Sequence, residues 1–201
     1  MLTAPVGSLD TLLETLDFRR PAAAAHSRRV AGLAHRLGAF VALPRDEMAT
    51  LVSAALIHEA GALVGGRDAT ADLCGLHAWC GLSDDVDDVL WYAARRFDHH
   101  RHAPRAARLL AVAHAFDELT AAREYHVPLS PDSALMAIAR QAGERYCPAA
   151  VNALLAAGMN GLDVPWDGRH AAEPDTRAMP EGDALADGEP VRVDYRLVTT
   201  S

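Results

Sequence analysis

The chain has 201 residues and a mass of 21.5 kDa, half of its residues are hydrophobic, and its formal net charge is −8 at pH 7. All 19 basic residues are arginine. The absence of lysine excludes Schiff-base catalysis and a phosphate-loop lysine, and the acidic charge argues against a broad nucleic-acid interface. No apolar run approaches the roughly 18 residues of a membrane span. We therefore expect one domain with a short tail, no membrane segment and a cytoplasmic location.

The cysteines give the same indication about location. Cys74, Cys80 and Cys147 are odd in number and form no pair with metal or redox spacing. We interpret them as reduced thiols in a cytoplasmic protein.

From about residue 8 to residue 157, apolar residues recur at spacings of three and four, which is typical of α-helices. Proline and helix-capping residues divide this region into segments. Helices are predicted to begin near Pro21, Pro44, Asp68, Ser83, Pro104, Ser130 and Pro148. The second of these is predicted to stop at Gly61, and the fourth to carry an apolar face as far as Phe97. The pattern predicts an all-α bundle of about seven helices over residues 8–158.

The last part of the chain has a different composition. Residues 159–189 are rich in glycine, proline and acidic residues without a period, which predicts a linker. Residues 190–198 alternate between apolar and polar side chains, as a β-strand does. Since no partner strand is evident, we expect this strand to pair with a second copy, forming a homodimer, or with another segment.

Three of the ten histidines lie among apolar residues of three different predicted helices. These are His26, His58 and His114, and Glu59 directly follows His58. A buried imidazole beside a carboxylate is costly unless both have partners, and one divalent metal ion satisfies both. This ligand mixture suits Mn, Fe, Zn, Ni or Mg. His77 is a further candidate ligand. The alternative is a core in which the histidines pack as neutral rings and Glu59 is solvated.

Four segments occur along the chain in a characteristic order: residues 26–30 (HSRRV), 54–61 (AALIHEAG), 107–120 (ARLLAVAHAFDELT) and 129–135 (LSPDSAL). They resemble the segments HSxRV, AALLHDIGK, ARILAVADAFDALT and LSPEEAL of the HD superfamily of metal-dependent phosphohydrolases, and specifically its HD-GYP branch. The resemblance covers roughly residues 9–156. It implies a helical HD domain with a divalent-metal centre.

The resemblance also identifies departures at the positions where the chemistry would take place. Two aspartates of the family, both metal ligands, are replaced by Glu59 and His114, and a histidine of the second metal is retained as His77. The family's glutamate, lysine and paired histidines fall on alanines, namely Ala22, Ala62, Ala93 and Ala94. Residues 98–104 lack the glycines and the tyrosine of the GYP loop. The resemblance therefore implies one residual metal and argues against hydrolysis of cyclic di-GMP.

Three hypotheses remain open from the sequence. The first is a degenerate HD-GYP-like domain, catalytically silent or strongly attenuated, that binds a nucleotide or a protein partner in signalling. The second is an active mononuclear phosphohydrolase in which His58 and Glu59 lie at the reaction centre. In that enzyme Arg28, Arg95 and Arg96 would hold a phosphate group. In the third, the chain has the same fold but binds no metal, and the histidines pack as neutral rings in the core.

Overall fold

The structure, a computed structural model, describes residues 8–63, 77, 80–122 and 127–158. These residues form seven α-helices and, apart from an isolated bridge between Ala142 and Tyr146, no β-structure. The helices are α1 (Leu9–Arg19), α2 (Pro21–Phe40), α3 (Arg45–Ile57), α4 (Asp85–Ala93), α5 (Arg105–Thr120), α6 (Pro131–Ala139) and α7 (Pro148–Gly158). Two 3₁₀-helices cover Ala60–Leu63 and Phe97–His99. The predicted all-α class is confirmed.

The helix count agrees with the prediction, but one member differs. Helix α1 was not predicted as a separate element, whereas the helix predicted from Asp68 lies outside the described residues. The predicted linker at 159–189, the strand at 190–198 and Cys74 lie outside them as well. Cys80 and Cys147 are free cysteines.

Within the described residues, the helices begin at the predicted starts or within two residues of them, and three of these starts show the expected proline or serine contact. Pro21 occupies the first turn of α2, where its missing N–H leaves no hydrogen bond unmade. The hydroxyl of Ser130 accepts a hydrogen bond from the Ser133 backbone N–H at 3.2 Å at the start of α6. The hydroxyl of Ser83 accepts one from the Asp85 N–H at the same distance before α4. Each of these side chains satisfies a backbone donor that a helix end would otherwise leave unpaired.

Two helices end earlier than the sequence predicts. Helix α3 stops at Ile57 rather than Gly61, so that His58 and Glu59 lie in the turn that follows it. Helix α4 stops at Ala93, and the chain after it makes tertiary backbone bonds: the N–H of Phe97 donates to the carbonyl of Arg145 at 3.1 Å. Long-range hydrogen bonds have replaced the helical ones there.

Helices α2 and α5 lie at the centre of one core. Helix α2 packs against α1, α3, α5 and α7, and α5 packs against every other helix except α1. The largest fully buried side chains come from all seven helices: Leu16, Val30, Leu37, Leu51, Ile57, Val86, Val89, Leu109, Val112, Ile138, Val151 and Leu154. Among the described residues, no helix is both long enough and apolar enough to span a membrane.

Candidate metal centre

Three helices bring three histidines and a glutamate to one point in the bundle. His26 comes from α2, His58 and Glu59 directly follow α3, and His114 comes from α5. Each residue offers one ligand atom, and these atoms all lie within 4.8 Å of one another. The three imidazole centroids are 5.0, 5.1 and 5.1 Å apart. We call this group the His/Glu cluster, and its donor atoms are of the kind that hold a transition metal.

A buried carboxylate orients His26. The Nδ1 atom of His26 lies 2.6 Å from Asp117 Oδ2, and Arg29 donates to the same carboxylate through Nε at 2.6 Å and Nη2 at 3.0 Å. Burial opposes ionisation of Asp117, but the hydrogen bonds from His26 and Arg29 outweigh it and lower its pKa to about 2. An ionised carboxylate only accepts, so His26 donates through Nδ1. In the neutral ring, Nε2 then carries the lone pair.

A backbone carbonyl orients His58 in the same way. The Nδ1 atom of His58 donates to the carbonyl of Ala55 at 2.6 Å. Burial lowers the pKa of His58 from 6.5 to about 3, although this hydrogen bond opposes the shift. The ring is therefore neutral at physiological pH, with its lone pair on Nε2. This is the protonation state in which a histidine binds a metal ion.

The Nε2 atoms of His26 and His58 fit a bound cation. Both atoms are buried, and neither has a hydrogen-bond partner within the described part of the chain. A buried acceptor left unpaired costs about 1–3 kcal/mol, so such pairs of atoms are uncommon without a partner. Oε1 of Glu59 lies 3.7 Å from His58 Nε2 and 3.9 Å from His26 Nε2. The residues present therefore fit a divalent metal ion.

The cluster is buried on one side and accessible on the other. The side chains of His26 and His58 are 7% and 12% exposed, whereas those of Glu59 and His114 are 32% and 33% exposed. On α5, Nδ1 of His114 also lies 3.6 Å from a carboxylate oxygen of Glu118. A small ligand would therefore approach the centre from the side of Glu59 and His114.

A cavity of about 180 Å³ occupies this accessible side. Its lining combines three members of the cluster with small and apolar side chains of α4, its C-terminal end and α5: His58, Glu59, Leu90, Ala93, Ala94, Leu110, Ala111 and His114. No arginine is among these lining residues. The cavity can admit a small ligand to the cluster, but it offers no fixed positive charge to a phosphate group.

His77, the further candidate ligand, lies outside the His/Glu cluster. Its Nε2 atom is 2.9 Å from Asp84 Oδ1, and its Nδ1 atom is 2.8 Å from Asp87 Oδ2. Both ring nitrogens therefore face carboxylates at the start of α4.

The three arginines that the sequence suggested for phosphate binding also lie away from the cavity lining. Arg28 forms a bidentate ion pair with Asp17 of α1, with one N···O distance of 2.6 Å. The guanidinium carbon of Arg95 lies 3.5 Å from the centroid of the Trp91 ring. Arg96 pairs with Asp98 at 2.7 Å. A phosphate group bound at the cluster would need other residues or a movement of these.

Asp117 and Arg29 are site residues that the sequence reasoning missed. Each lies three positions after a histidine of the cluster, Asp117 after His114 and Arg29 after His26. Residues three apart share a helix face, so a carboxylate at this spacing on an apolar helix was an available signal. The spacing did not show that Asp117 of α5 accepts a hydrogen bond from His26 of α2, across the interface of the two helices.

In comparisons with known proteins, no family model matches this chain and no curated protein matches its sequence. The assignment to the HD superfamily therefore stays a prediction carried by the four sequence segments. The His/Glu cluster is a property of the fold itself and does not depend on that assignment.

Proposed function

We propose that this chain is a degenerate HD-GYP-like domain that binds one divalent metal ion and acts in signalling as a binding module. The observation that carries the metal site is the pair of buried, unpaired Nε2 atoms on His26 and His58, next to Glu59 and His114. Each of these two rings has its other nitrogen committed to an acceptor inside the protein. Such outer contacts are typical of metal-ligating histidines.

The chain's own residues divide into two roles in this proposal. His26, His58, Glu59 and His114 would hold the ion, and Asp117 keeps the His26 ring in place. When bound, a divalent cation supplies a Lewis acid that can polarise a carbonyl or phosphoryl oxygen. The cavity beside the cluster would admit the ligand that contacts the bound cation.

The composition of the cavity wall supports weak catalysis or none. Hydrolysis of a phosphodiester requires positive groups that stabilise the charge developing on the phosphoryl oxygens. The wall beside the cluster is instead formed by leucine and alanine, including Ala93 and Ala94, where the HD-GYP pattern has paired histidines. With these groups lost, a second metal has few ligands left on this side.

An active mononuclear phosphohydrolase is the second candidate. The accessible cavity favours it, because a metal centre with a purely structural role does not need space for a ligand. In this enzyme His58 and Glu59 would lie at the reaction centre, beside the ion that they help to hold.

Elemental analysis tests the metal site. The full chain would be purified without an affinity tag, reconstituted with Mn²⁺, Fe²⁺, Ni²⁺ or Zn²⁺, and measured beside His58→Ala and His99→Ala. His99 is an exposed histidine outside the cluster and serves as the matched control. We expect one equivalent of metal in the parent and in His99→Ala, and none in His58→Ala. A parent that binds no metal after reconstitution would refute the site.

Turnover assays then separate the two candidates. The metal-loaded protein would be incubated with a panel of nucleotides and cyclic nucleotides. The binding-module proposal expects no metal-dependent release of phosphate or nucleotide. Metal-dependent turnover that is abolished by His58→Ala or Glu59→Gln would instead establish the hydrolase.

A further inference from the structure

A second, smaller recess lies next to the cavity beside the His/Glu cluster, and Ala111 lines both. We call it the arginine recess, because its lining includes Arg95 and Arg96 after α4, Arg108 of α5 and Arg145 before α7. Its volume is about 20 Å³. This space is enough for one or two water molecules and therefore for a single small polar group.

The arginine recess carries more positive than negative charge in a chain whose net charge is −8. Guanidinium groups stay protonated in proteins. The two nearby carboxylates, Asp98 and Glu144, both lie against Arg96, at 2.7 and 3.7 Å. Within the described ranges, neither Arg95 nor Arg145 has a carboxylate partner. An anion in the recess would relieve the repulsion between these cations.

Aromatic rings support the two arginines that have no carboxylate partner. The guanidinium carbon of Arg95 lies 3.5 Å from the centroid of Trp91, and that of Arg145 lies 5.5 Å from the centroid of Tyr146. One N–H of Arg95 donates to the backbone carbonyl of Trp91 at 2.5 Å. Contact with an aromatic ring orders a guanidinium group and leaves further N–H donors for an oxyanion.

The backbone that carries these arginines is cross-linked by hydrogen bonds. The N–H groups of Phe97 and Asp98 donate to the carbonyls of Arg145 and Glu144 at 3.1 and 2.8 Å. The side chain of Arg108 donates to two backbone carbonyls of the preceding turn, at 2.7 and 2.8 Å. These bonds join the segment between α4 and α5 to α5 and to the turn before α7, so little conformational entropy is lost when a ligand binds.

We propose that the arginine recess binds a phosphate group, either as free phosphate or as the phosphate of a nucleotide. A phosphate group carries up to two negative charges and oxygens that match the paired N–H donors of guanidinium groups. The volume admits about one or two oxygens of the phosphate group. The rest of the phosphate, and the nucleoside of a nucleotide, would remain outside the recess, near the exposed ring of Trp91 against which Arg95 lies. Binding of phosphate in the recess needs no metal ion and is therefore independent of the metal site.

Calorimetric titration of the full chain tests the proposal. The protein would be treated with a chelator and titrated with inorganic phosphate at constant ionic strength. We expect saturable binding that weakens at least about tenfold in the double variant Arg95→Gln/Arg145→Gln. The matched control is Arg19→Gln/Arg140→Gln, which removes two exposed arginines outside the recess and is expected to bind as the parent does. Circular dichroism and thermal unfolding would show that both variants fold.

Parallel titrations with AMP and adenosine distinguish the sources of the phosphate. Equal affinities for AMP and phosphate would assign free phosphate as the ligand. Tighter binding of AMP than of phosphate, with the difference lost when both ligands are titrated into Trp91→Leu, would assign a nucleotide. The proposal is overturned if neither phosphate nor AMP binds saturably, if the control variant weakens binding as much as the recess variant, or if adenosine binds as tightly as AMP.

Discussion

At the level of single residues, the candidate metal centre depends on which nitrogen of each histidine is free. His26 donates through Nδ1 to the carboxylate of Asp117, and His58 donates through Nδ1 to the carbonyl of Ala55. Both partners can only accept a hydrogen bond, so they select the tautomer that leaves Nε2 available. The hydrogen bonds around the cluster therefore prepare its donor atoms before any ion arrives.

Replacing Asp117 with asparagine tests this orientation. Asp117→Asn keeps all four residues of the His/Glu cluster but removes the negative charge that His26 and Arg29 share. We expect the affinity for metal to fall about 10–100-fold, as is usual when an outer hydrogen-bond partner of a ligand is lost. Competition with a chromophoric chelator would measure this change.

The matched control is Asp17→Asn, which removes a carboxylate that also pairs with an arginine but lies away from the cluster. Its metal affinity should equal that of the parent. A folded Asp117→Asn variant with unchanged affinity would contradict the role assigned to Asp117.

The buried ring of His58 also predicts how the stability of the metal-free protein depends on pH. Its pKa is about 3 in the folded state and 6.5 in the unfolded chain, so the unfolded state binds an extra proton between these values. Stability is therefore lost as the pH falls below 6.5. From pH 7.5 to pH 5.0, this residue should account for about 2 kcal/mol of lost unfolding free energy.

Urea unfolding of the parent and of His58→Gln at the two pH values, in the presence of a chelator, would measure the difference. The variant should lose less stability than the parent, because its amide does not titrate. Asp117 does not contribute in this window, since its lowered pKa affects stability only below pH 3.8. Equal losses in the two proteins would show that His58 titrates normally.

At the level of elements, the candidate ligands come from α2, the turn after α3, and α5. Helix α4 lines the cavity beside them but supplies no ligand. The end of α4 places Ala93 and Ala94 in the wall of the cavity. These are the two alanines that the HD-GYP resemblance aligns with the family's paired histidines.

Introducing histidines at the end of α4 should add a metal-binding position. In the double variant Ala93→His/Ala94→His, we expect the metal content to rise from one equivalent toward two, because both side chains would face the same cavity as Glu59 and His114. Elemental analysis after reconstitution would measure it. The control Ala121→His/Ala122→His adds two histidines beyond the end of α5 and should stay at one equivalent. An unchanged metal content in both variants would count against the HD-GYP resemblance at α4.

Helix starts were easier to predict than helix ends. Pro21 and Ser130 act on the next few residues only, so their effect is visible in the sequence, and the helices begin there. The ends of α3 and α4 depend on contacts with distant segments. His58 turns into the cluster, and Phe97 bonds to Arg145, which is far along the chain.

At the level of the whole molecule, a metal ion would join three parts of the chain that are far apart in sequence. His26 and His114 belong to α2 and α5, and His58 directly follows α3, all within one continuous core. An ion that binds only the folded state stabilises it by mass action, and the stabilisation is about 2.7 kcal/mol when the free ion is at 100 times its Kd.

We therefore expect chelation to lower the thermal midpoint of the protein. For a domain of this size, the expected decrease is about 5–10 °C relative to the metal-loaded protein. Differential scanning calorimetry with and without metal would measure it, and His58→Ala should show no such shift. A parent whose midpoint does not respond to metal, or a His58→Ala variant that responds as the parent does, would contradict a metal bound by the cluster.

Local sequence information was sufficient for the fold class and for the four residues of the cluster. The spacing of apolar residues identified helices, and it placed His26, His58 and His114 among side chains that must be buried. The domain boundary near residue 158 and the homodimer through residues 190–198 stay predictions, since the tail lies outside the described residues.

The partners of these residues depended on tertiary structure. The pairing of His26 with Asp117 crosses from α2 to α5. His77 lies outside the cluster between two carboxylates, and Arg145 and Arg95 line one recess. A sequence pattern reports which face of a helix is apolar, because that depends on neighbours three and four positions away. Which helices meet, and in what register, is decided by the packing of the whole core, where the favourable burial of one contact depends on all the others.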